Sequence, residues 1–335
     1  MTGPEPTPRD VEAAAWRLAG HVRRTPLLEA PALNARAGRR VLVKAECLQH
    51  TGAFKARGAW AAVSALAPGT QGVVALSSGN HGAGVAWAAR AHGLRAVVVM
   101  PDDAPAVKVA GVQAFGAEVV LAERDGAVRM AIAQDLCARH GFVLIPPYDD
   151  APVIAGQASV GLEIAAQAAE AGVTAADVLI CCGGGGLAAG IALALEDRAG
   201  DLRPRTVEPD GFDDTARSLA AGRILRNAAA TGSLCDAILT AEPGRLTFPI
   251  LQRRCGPGIV VSDDQALAAM AVAFATLRVV LEPGGAVALA AALFHGDGIA
   301  GDSVIVVASG GNVAPETFVR ALGHSASARG DVACA

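Results

Sequence analysis

The chain has 335 residues, of which 52% are hydrophobic and 4% aromatic, and it carries a net charge of −4 from 28 basic and 32 acidic side chains. This length allows two α/β lobes or one large domain, and the composition favours helices packed on buried strands over a β-sandwich. Because no block of basic residues occurs, we expect neither nucleic acids nor membrane surfaces as partners.

Predicted strands and helices alternate along the chain after a polar, proline-rich start and a first helix over 9–23. The predicted strands cover 41–46, 72–76, 95–100, 117–121, 142–145, 177–182, 203–207, 258–261 and 303–308. The predicted helices cover 55–66, 80–92, 105–115, 125–139, 152–170, 187–198, 263–279 and 284–295. This alternation predicts an α/β fold with parallel-rich open sheets flanked by helices, whereas 211–257 is rich in loop-forming residues.

The stretch 141–150 contains the glycine, prolines and acidic residues expected where the chain crosses between two lobes. We therefore assign 48–145 to a small domain. The remaining parts, 1–47 and 146–335, are assigned to one discontinuous large domain.

The sequence predicts a soluble, cytoplasmic protein. The start of the chain lacks a secretory pattern, and the most apolar stretch, 269–294, is interrupted by charged residues and a proline. The cysteines are odd in number and show no zinc-ligand spacing, which indicates reduced thiols. They are Cys47, Cys137, Cys181, Cys182, Cys235, Cys255 and Cys334.

Lys55 stands between Phe54 and Ala56, just after a Thr-Gly pair, at the point where a loop becomes a helix. Burial beside apolar neighbours lowers the pKa of a lysine, and a neutral amine is the usual nucleophile for a carbonyl cofactor. Taken alone, the position also fits a surface lysine at a helix start. Three further segments favour the nucleophile.

The first of these segments leads from a strand through Ser77, Ser78 and Gly79 into a helix that begins near Asn80. Small hydroxyls, an amide and the free N–H groups of a helix start suit a carboxylate or phenolate oxygen. An ordinary helix N-cap would need only one such residue. His81 fits a hydrogen-bonded structural histidine as well as a catalytic one.

In the second segment an apolar strand enters four consecutive glycines, Gly183, Gly184, Gly185 and Gly186, and leaves as a helix. Their converging N–H groups and the helix dipole suit a phosphate. The same glycines match a loose dinucleotide fingerprint, with Glu208 about twenty residues further on. A nicotinamide-dependent oxidoreductase therefore stays open, although it gives Lys55 no role.

In the third segment a buried strand ends at Ser309, and two glycines follow. Ligands of open parallel sheets bind beyond the carboxyl ends of the strands. Because Ser78, Gly183 and Ser309 all follow strands, we expect them to meet Lys55 at one ligand site.

These segments resemble the fold-type II pyridoxal-phosphate enzymes, and among them the serine/threonine dehydratase and serine racemase family. The likeness extends from about 25 to 312. The run Gly-Ala-Phe-Lys-Ala-Arg-Gly at 52–58 is similar to the family's cofactor-lysine motif, 77–82 to its asparagine loop, and 183–186 to its phosphate loop. The resemblance implies a two-lobed fold whose large domain binds the cofactor.

The resemblance also implies a role for each candidate residue. Lys55 would form the Schiff base with pyridoxal 5′-phosphate and remove the Cα proton of the substrate, and Ser78 would be a second catalytic residue on the opposite face of the ring. Asn80 would bond the pyridoxal 3′-oxygen. The other cofactor-binding residues would be Phe54 beside the ring, Gly183, Gly184, Gly185, Gly186 and Leu187 at the phosphate, and Ser309 facing the pyridine nitrogen. The substrate carboxylate would bind Ser77, Ser78, Asn80 and His81.

A further likeness concerns the acidic segment 207–214, which resembles the family's divalent-cation loop. Glu208, the carbonyl of Phe212 and Asp214 would then hold Mg²⁺ or Ca²⁺, which prefer such oxygen ligands. A helix start that carries acidic residues explains the same pattern without a metal. Ala53 stands where many members carry serine, and Tyr148 stands where some carry a cofactor-contacting asparagine. Both departures bear on substrate preference.

The implied function is a pyridoxal-phosphate-dependent ammonia-lyase that converts a small β-hydroxy amino acid, such as L-threonine or L-serine, to a 2-oxo acid and ammonia. The family also implies a homo-oligomer, commonly a dimer. Serine racemase and 3-hydroxyaspartate dehydratase are alternatives on the same scaffold, the latter if Arg57, Arg217 or another cation reaches the substrate side chain. A non-catalytic ligand-binding module is an alternative from another class.

Overall fold

The computed structural model describes residues 3–327, and the strands within that range form two sheets. The strands are β1 (Leu27–Leu28), β2 (Arg40–Lys44), β3 (Gly72–Leu76), β4 (Arg95–Pro101), β5 (Glu118–Ala122), β6 (Val143–Leu144), β7 (Ala176–Cys181), β8 (Leu202–Pro209), β9 (Ile259–Val261) and β10 (Ser303–Val307). One sheet has the order β1-β2-β10-β7-β8-β9 and the other the order β5-β4-β3-β6. All neighbouring strands are parallel except the pair β1 and β2.

Helices cover both sheets, as the alternating pattern predicts. They are α1 (Pro8–Leu18), α2 (Pro31–Ala37), α3 (Lys55–Val63), α4 (Asn80–Ala91), α5 (Ala106–Ala114), α6 (Gly126–His140), α7 (Ala151–Glu170), α8 (Gly186–Arg198), α9 (Asp214–Ala221), α10 (Thr247–Arg254), α11 (Asp263–Leu277), α12 (Pro283–Phe294) and α13 (Pro315–Ser327). The predicted fold class, an α/β protein with parallel-rich sheets flanked by helices, is confirmed.

Every predicted strand is present, with ends displaced by at most two residues, and only the two-residue β1 was not predicted. The first helix is shorter than predicted, since it ends at Leu18 and the chain then turns through Gly20 at a φ of +78°. The sequence did not predict α2, α9, α10 and α13, of which α9 and α10 lie in the stretch expected to be loop.

The strands of the four-stranded sheet lie between 72 and 144, and those of the six-stranded sheet lie in 27–44 and 176–307. The proposed domain boundaries at 48 and 145 stay a prediction. No helix within the described residues combines the length and apolarity needed to cross a bilayer. Six of the seven cysteines are free thiols, and Cys334 lies outside the described residues.

A largely buried group of charges joins β2, α3 and α7. Arg57 donates from Nε to Glu46 Oε2 at 2.8 Å and from Nη1 to Glu163 Oε1 at 2.7 Å, and neither Arg57 nor Glu46 exposes any side-chain surface. Lys44 Nζ lies 2.5 Å from Glu163 Oε2. Arg57 is therefore held inside the protein and is not available to a substrate side chain, so the role considered for it in 3-hydroxyaspartate binding is wrong.

Candidate active site

A cavity of about 430 Å³ is lined by residues that follow the carboxyl ends of β3, β7 and β10. It brings together every residue that the sequence predicted for catalysis and for binding of the cofactor and the substrate. These residues are Phe54, Lys55, Ser77, Ser78, Asn80, His81, Gly183, Gly184, Gly185, Gly186, Leu187 and Ser309. The convergence follows from parallel strands, whose carboxyl ends meet at the same edge of a sheet.

Lys55 is the first residue of α3, and its Nζ donates to the carbonyl of Pro147 at 2.6 Å. Burial lowers the pKa of its amine from 10.5 to about 8. A shift of this size raises the neutral fraction at pH 7 by roughly a hundredfold or more. The Phe54 ring centroid lies 5.2 Å from Nζ, on the apolar side of the amine. The arrangement supplies a basic, nucleophilic nitrogen at neutral pH.

Lysine is rare in this chain, a signal that sequence reasoning did not use. The sequence contains three lysines among its 28 basic residues: Lys44, Lys55 and Lys108. Lys44 belongs to the buried charge group, and Lys108 Nζ lies 2.6 Å from Asp236 Oδ2. Lys55 is thus the one lysine that no carboxylate of the described residues neutralises.

The Ser77 side chain fixes the conformation of the loop between β3 and α4. Ser77 Oγ accepts hydrogen bonds from the N–H groups of Gly79 at 2.9 Å and Gly82 at 2.8 Å, which shapes the turn into α4. Ser78 is half-buried and lines the cavity beside it. The geometry leaves the Ser78 hydroxyl available for chemistry and assigns Ser77 mainly to the shape of the loop.

His81 is buried, and its Nε2 lies 2.9 Å from the carbonyl oxygen of Ile145. Since a carbonyl can only accept, Nε2 carries a proton. Burial, together with the nearby Lys55 amine, lowers the pKa of the imidazole to about 3. His81 is therefore neutral and supports the loop. This favours the structural interpretation of the two that the sequence left open.

The glycine loop runs from the end of β7 into α8 and is covered by Tyr148. A Cβ added to Gly184 would lie 2.3 Å from the Tyr148 ring, so only glycine allows the ring to rest there. Gly185 adopts a φ of +91°, which also favours glycine. Thr247 Oγ1 donates to the carbonyl of Gly184 at 2.7 Å and fixes that peptide. The loop is a preformed cradle for an anion at a helix start.

Ser309 connects the end of β10 to the segment that carries Lys55. Its carbonyl accepts from Phe54 N at 3.1 Å, and its own N–H donates to the carbonyl of Gly285 at 3.3 Å. The residue is 5% exposed and lines the cavity. These backbone bonds fix the distance between the nucleophile and the wall that carries the Ser309 hydroxyl.

Five charged residues of the cavity wall were not predicted. They are Lys108, Arg124, Arg129, Asp236 and Glu282. The only sequence signal was the position of some of them next to apolar runs, as with Glu282 inside the apolar stretch 269–294. They come from segments far apart in the chain, and no local pattern shows that they meet.

The predicted metal ligands lie outside this cavity, at the carboxyl end of β8. Glu208 Oε1 and Oε2 accept from the N–H groups of Thr215 at 2.9 Å and Ala216 at 2.7 Å, at the start of α9. Asp214 Oδ1 accepts from Asn227 Nδ2 at 2.6 Å, while Oδ2 is buried without a partner. Burial raises the pKa of Glu208 to about 8 and that of Asp214 to about 7.

The donor set around Glu208 and Asp214 is small. Among the described residues no group of three His, Cys, Asp or Glu side chains could hold a metal ion, so a cation would depend on two carboxylates, the Phe212 carbonyl and water. Oxygen donors of this kind suit Mg²⁺ or Ca²⁺ and do not suit Zn²⁺. The unpartnered Asp214 oxygen fits such a cation.

Comparisons with known proteins agree with this geometry. The family described as "Pyridoxal-phosphate dependent enzyme" matches residues 18–310. An L-threo-3-hydroxyaspartate ammonia-lyase of Pseudomonas sp. is 37% identical over 93% of this chain and 97% of that protein. The solved threonine deaminase of T.th. is 44% identical, with a TM-score of 0.88, over 92% of this chain and 99% of that one. Maize serine racemase is 33% identical, with a TM-score of 0.89, over 97% and 99%.

Proposed function

Because the chain belongs to the pyridoxal-phosphate dependent enzyme family, we propose that it is an ammonia-lyase that acts on a small β-hydroxy amino acid. The observation that carries the proposal is the Lys55 amine, with its lowered pKa, in the same cavity as the glycine cradle. Family membership leaves no role for the dinucleotide interpretation of the glycine loop.

The residues of the cavity fit the cofactor. The cradle at 183–186 would hold the phosphate, Lys55 would bind the aldehyde carbon, and Asn80 and Ser309 would face the phenolic oxygen and the ring nitrogen. When bound, pyridoxal phosphate supplies an electron sink for the charge that develops at the substrate Cα. A hydroxyl at Ser309 is a weaker proton donor than a carboxylic acid, so we propose a moderate sink, which suits β-elimination.

Lys55 is the proposed base. Its Nζ takes the proton from Cα, the bond from Cβ to the hydroxyl oxygen breaks, and a Cα–Cβ double bond forms. The hydroxyl group leaves as water with the proton that Nζ took up. The pKa near 8 keeps the neutral amine accessible, and the Pro147 carbonyl orients it. The released enamine hydrolyses in water to a 2-oxo acid and ammonia. If Ser78 returns a proton to Cα from the other side, racemisation competes with elimination.

A second candidate substrate, 3-hydroxyaspartate, is favoured by Arg129. Arg124, its neighbour in the cavity wall, is bound at Nε and Nη2 by both oxygens of Asp103, at 2.8 and 2.7 Å. Among the described residues, Arg129 donates from Nη2 to the carbonyl of Arg124, its Nε is buried without a partner, and Asp103 and Asp125 act on it only through space. Burial and the Arg124 charge lower its pKa. A cation in this state would gain from the second carboxylate of an acidic substrate.

One assay series tests the function and the choice of substrate. We expect wild-type protein loaded with pyridoxal phosphate to release 2-oxo acid and ammonia from at least one of L-serine, L-threonine and L-threo-3-hydroxyaspartate. In Arg129→Met, the ratio of kcat/KM for 3-hydroxyaspartate to that for L-serine should fall about 10- to 100-fold, the worth of a charge-assisted hydrogen bond. Chiral analysis of the recovered serine measures racemisation in the same samples.

Arg124→Met is the matched control for Arg129, because its guanidinium is already neutralised by Asp103. The ratio should change less than about threefold in this variant. An unchanged ratio in Arg129→Met would contradict the proposal that Arg129 recognises 3-hydroxyaspartate. If the cofactor-loaded protein releases no 2-oxo acid from any of the three substrates, the proposed ammonia-lyase activity is contradicted.

We also propose that Glu208, Asp214 and the Phe212 carbonyl hold Mg²⁺ or Ca²⁺. Adding either ion to chelator-treated protein at pH 8 should raise Tm by about 5 °C, because a site filled at 100 times Kd gains about 2.7 kcal/mol. Asp214→Asn should abolish the rise. Asp213→Asn, which removes a carboxylate paired with Arg217, should leave it intact. Equal Tm values with chelator and with metal in the wild type would refute the site.

We propose further that the protein works in the cytoplasm as a homo-oligomer. The six free thiols of the described residues support a reducing compartment, and the family resemblance supports oligomerisation. Sedimentation velocity of the purified protein measures the particle mass directly.

A further inference from the structure

Asn80 belongs to a chain of hydrogen bonds whose direction is fixed at one end. Asn312 Nδ2 donates to the carbonyl of Thr51 at 2.7 Å and to Asn80 Oδ1 at 2.8 Å. Asn80 Nδ2 lies 2.5 Å from Glu282 Oε1. A backbone carbonyl can only accept, so the Asn312 amide group must face Thr51 with its nitrogen. Asn80 must then offer its oxygen to Asn312 and its nitrogen to Glu282.

The Thr51 end of this hydrogen-bond chain is fixed by the backbone conformation. Thr51 adopts a φ of +62°, uncommon for a residue with a branched side chain, and the next residue, Gly52, has a φ of +74°. A Cβ on Gly52 would lie 2.4 Å from Asn312 Oδ1, so the glycine admits the Asn312 side chain. The carbonyl that sets the direction of the chain is held in place by this turn.

Glu282 forms the other end. It precedes α12, is 2% exposed, and its backbone N–H donates to the carbonyl of Gly310 at 3.1 Å. A Cβ on Gly310 would lie 2.1 Å from Glu282 Oε1, so that glycine makes room for the carboxyl group. Oε1 accepts from Asn80, whereas Oε2 is buried and has no partner in the described structure.

We propose that Glu282 is a positioning residue that holds the Asn80 amide with its nitrogen toward the cavity and carries an exchangeable proton on Oε2. The amide of Asn80 has two N–H bonds, and Glu282 occupies one of them. The second is left for an acceptor in the cavity, which under the proposed function is the phenolic oxygen of the cofactor. The inference rests on that function and specifies how the oxygen is recognised.

The proton belongs on Oε2, because Oε1 must accept from Asn80. The charged groups that face Glu282 are Lys108 from α5 and Asp236 from the loop before α10, and these two neutralise each other at 2.6 Å. Asn80 is neutral. Burial accordingly raises the pKa of Glu282 to about 7, with the Lys108 charge and the Asn80 bond opposing the shift. The Glu282 carboxyl group, which accepts from Asn80, therefore gains or loses its charge near neutral pH.

Glu282→Gln and Glu282→Leu separate the two parts of this role. The glutamine oxygen can still accept from Asn80, so the Kd for pyridoxal phosphate should stay within about threefold of the wild type. Leucine removes the acceptor, and Kd should rise about tenfold or more. In the wild type the absorption of the bound cofactor should shift with a midpoint near pH 7, and Glu282→Gln should lack that shift.

Asn312→Asp tests the direction of the chain independently of Glu282. An aspartate carboxylate cannot donate to Thr51 or to Asn80. Its oxygen would face Asn80 Oδ1, and the repulsion between these two acceptors would favour a flip of the Asn80 amide. We expect Asn312→Asp to weaken cofactor binding more than Asn312→Ala, which only deletes the bonds. Thermal unfolding of each apo-protein shows that the variants are folded.

The outcomes distinguish this inference from the proposed function. Wild-type protein that binds no pyridoxal phosphate would refute the function itself. If the wild type binds the cofactor, the inference is overturned when Glu282→Gln weakens binding as much as Glu282→Leu, or keeps the titration near pH 7. It is overturned equally when Asn312→Ala binds no better than Asn312→Asp.

Discussion

Lys55→Ala should lower kcat/KM by at least about 10³-fold and abolish the visible absorption of the lysine-bound cofactor, because the residue is both nucleophile and base. Borohydride reduction followed by peptide mass analysis should place the cofactor adduct of the wild-type protein on Lys55 alone. The three lysines make this assignment simple, since only two other side-chain positions exist.

Lys108→Gln is the matched control, since Lys108 is the other lysine of the cavity wall. It should keep the borohydride-stable adduct on Lys55. An adduct on Lys44 or Lys108 in the wild type would contradict the proposed chemistry. So would a Lys55→Ala protein that retained the reducible absorption band.

Arg57→Leu should lower the free energy of unfolding by about 3–5 kcal/mol. The substitution leaves the fully buried Glu46 without its ion-pair partner and leaves Glu163, whose side chain is 16% exposed, with Lys44 alone. Burying an unpaired carboxylate is costly, whereas removing both partners of a buried pair is tolerated. Urea denaturation of the apo-protein measures the loss.

Arg24→Leu is the control for the Arg57 substitution. Arg24 also forms an ion pair, with Glu170 at 2.7 Å, but both side chains are more than half exposed. The loss should stay within about 0.5–1 kcal/mol. The double variant Glu46→Gln, Arg57→Met should recover part of the stability lost in Arg57→Leu. A single Arg57→Leu as stable as Arg24→Leu would refute the account.

The sequence was sufficient for the fold class and for the parts of the site that follow strands. Hydrophobic runs that alternate with helical segments leave few arrangements other than parallel sheets, and the carboxyl ends of parallel strands meet at one edge. Ser78, Gly183 and Ser309 could therefore be expected near one another without any knowledge of distances. Lys55 could be added because a loop and a glycine precede its helix.

The rest of the site depends on contacts between distant segments. Glu282 lies 202 positions from Asn80, and no periodic pattern links them. Arg57 illustrates the opposite error, because the sequence allowed it to reach a substrate side chain, whereas the structure places it in the buried charge group. Ser77 and His81 both line the cavity, but Ser77 accepts from its own loop and His81 bonds to the carbonyl of Ile145.

The unpredicted helices α9 and α10 have eight residues each, too short to show a clear period. Tertiary contacts define them. The Glu208 carboxylate accepts the first N–H groups of α9, and Gly222 ends that helix at a φ of +69°. Asp149 accepts from the N–H groups of Leu246 and Thr247, at the start of α10.

The scarcity of lysine has a consequence beyond the reaction. Lys44 exposes none of its side chain, Lys108 exposes 9%, and Lys55 lines the cavity. In the part of the chain that the structure describes, the outer surface therefore presents arginine and hardly any primary amine. Sugars, amine-reactive dyes and surplus vitamin B6 aldehyde should leave this exterior nearly unmodified. Glycation in particular should be slow.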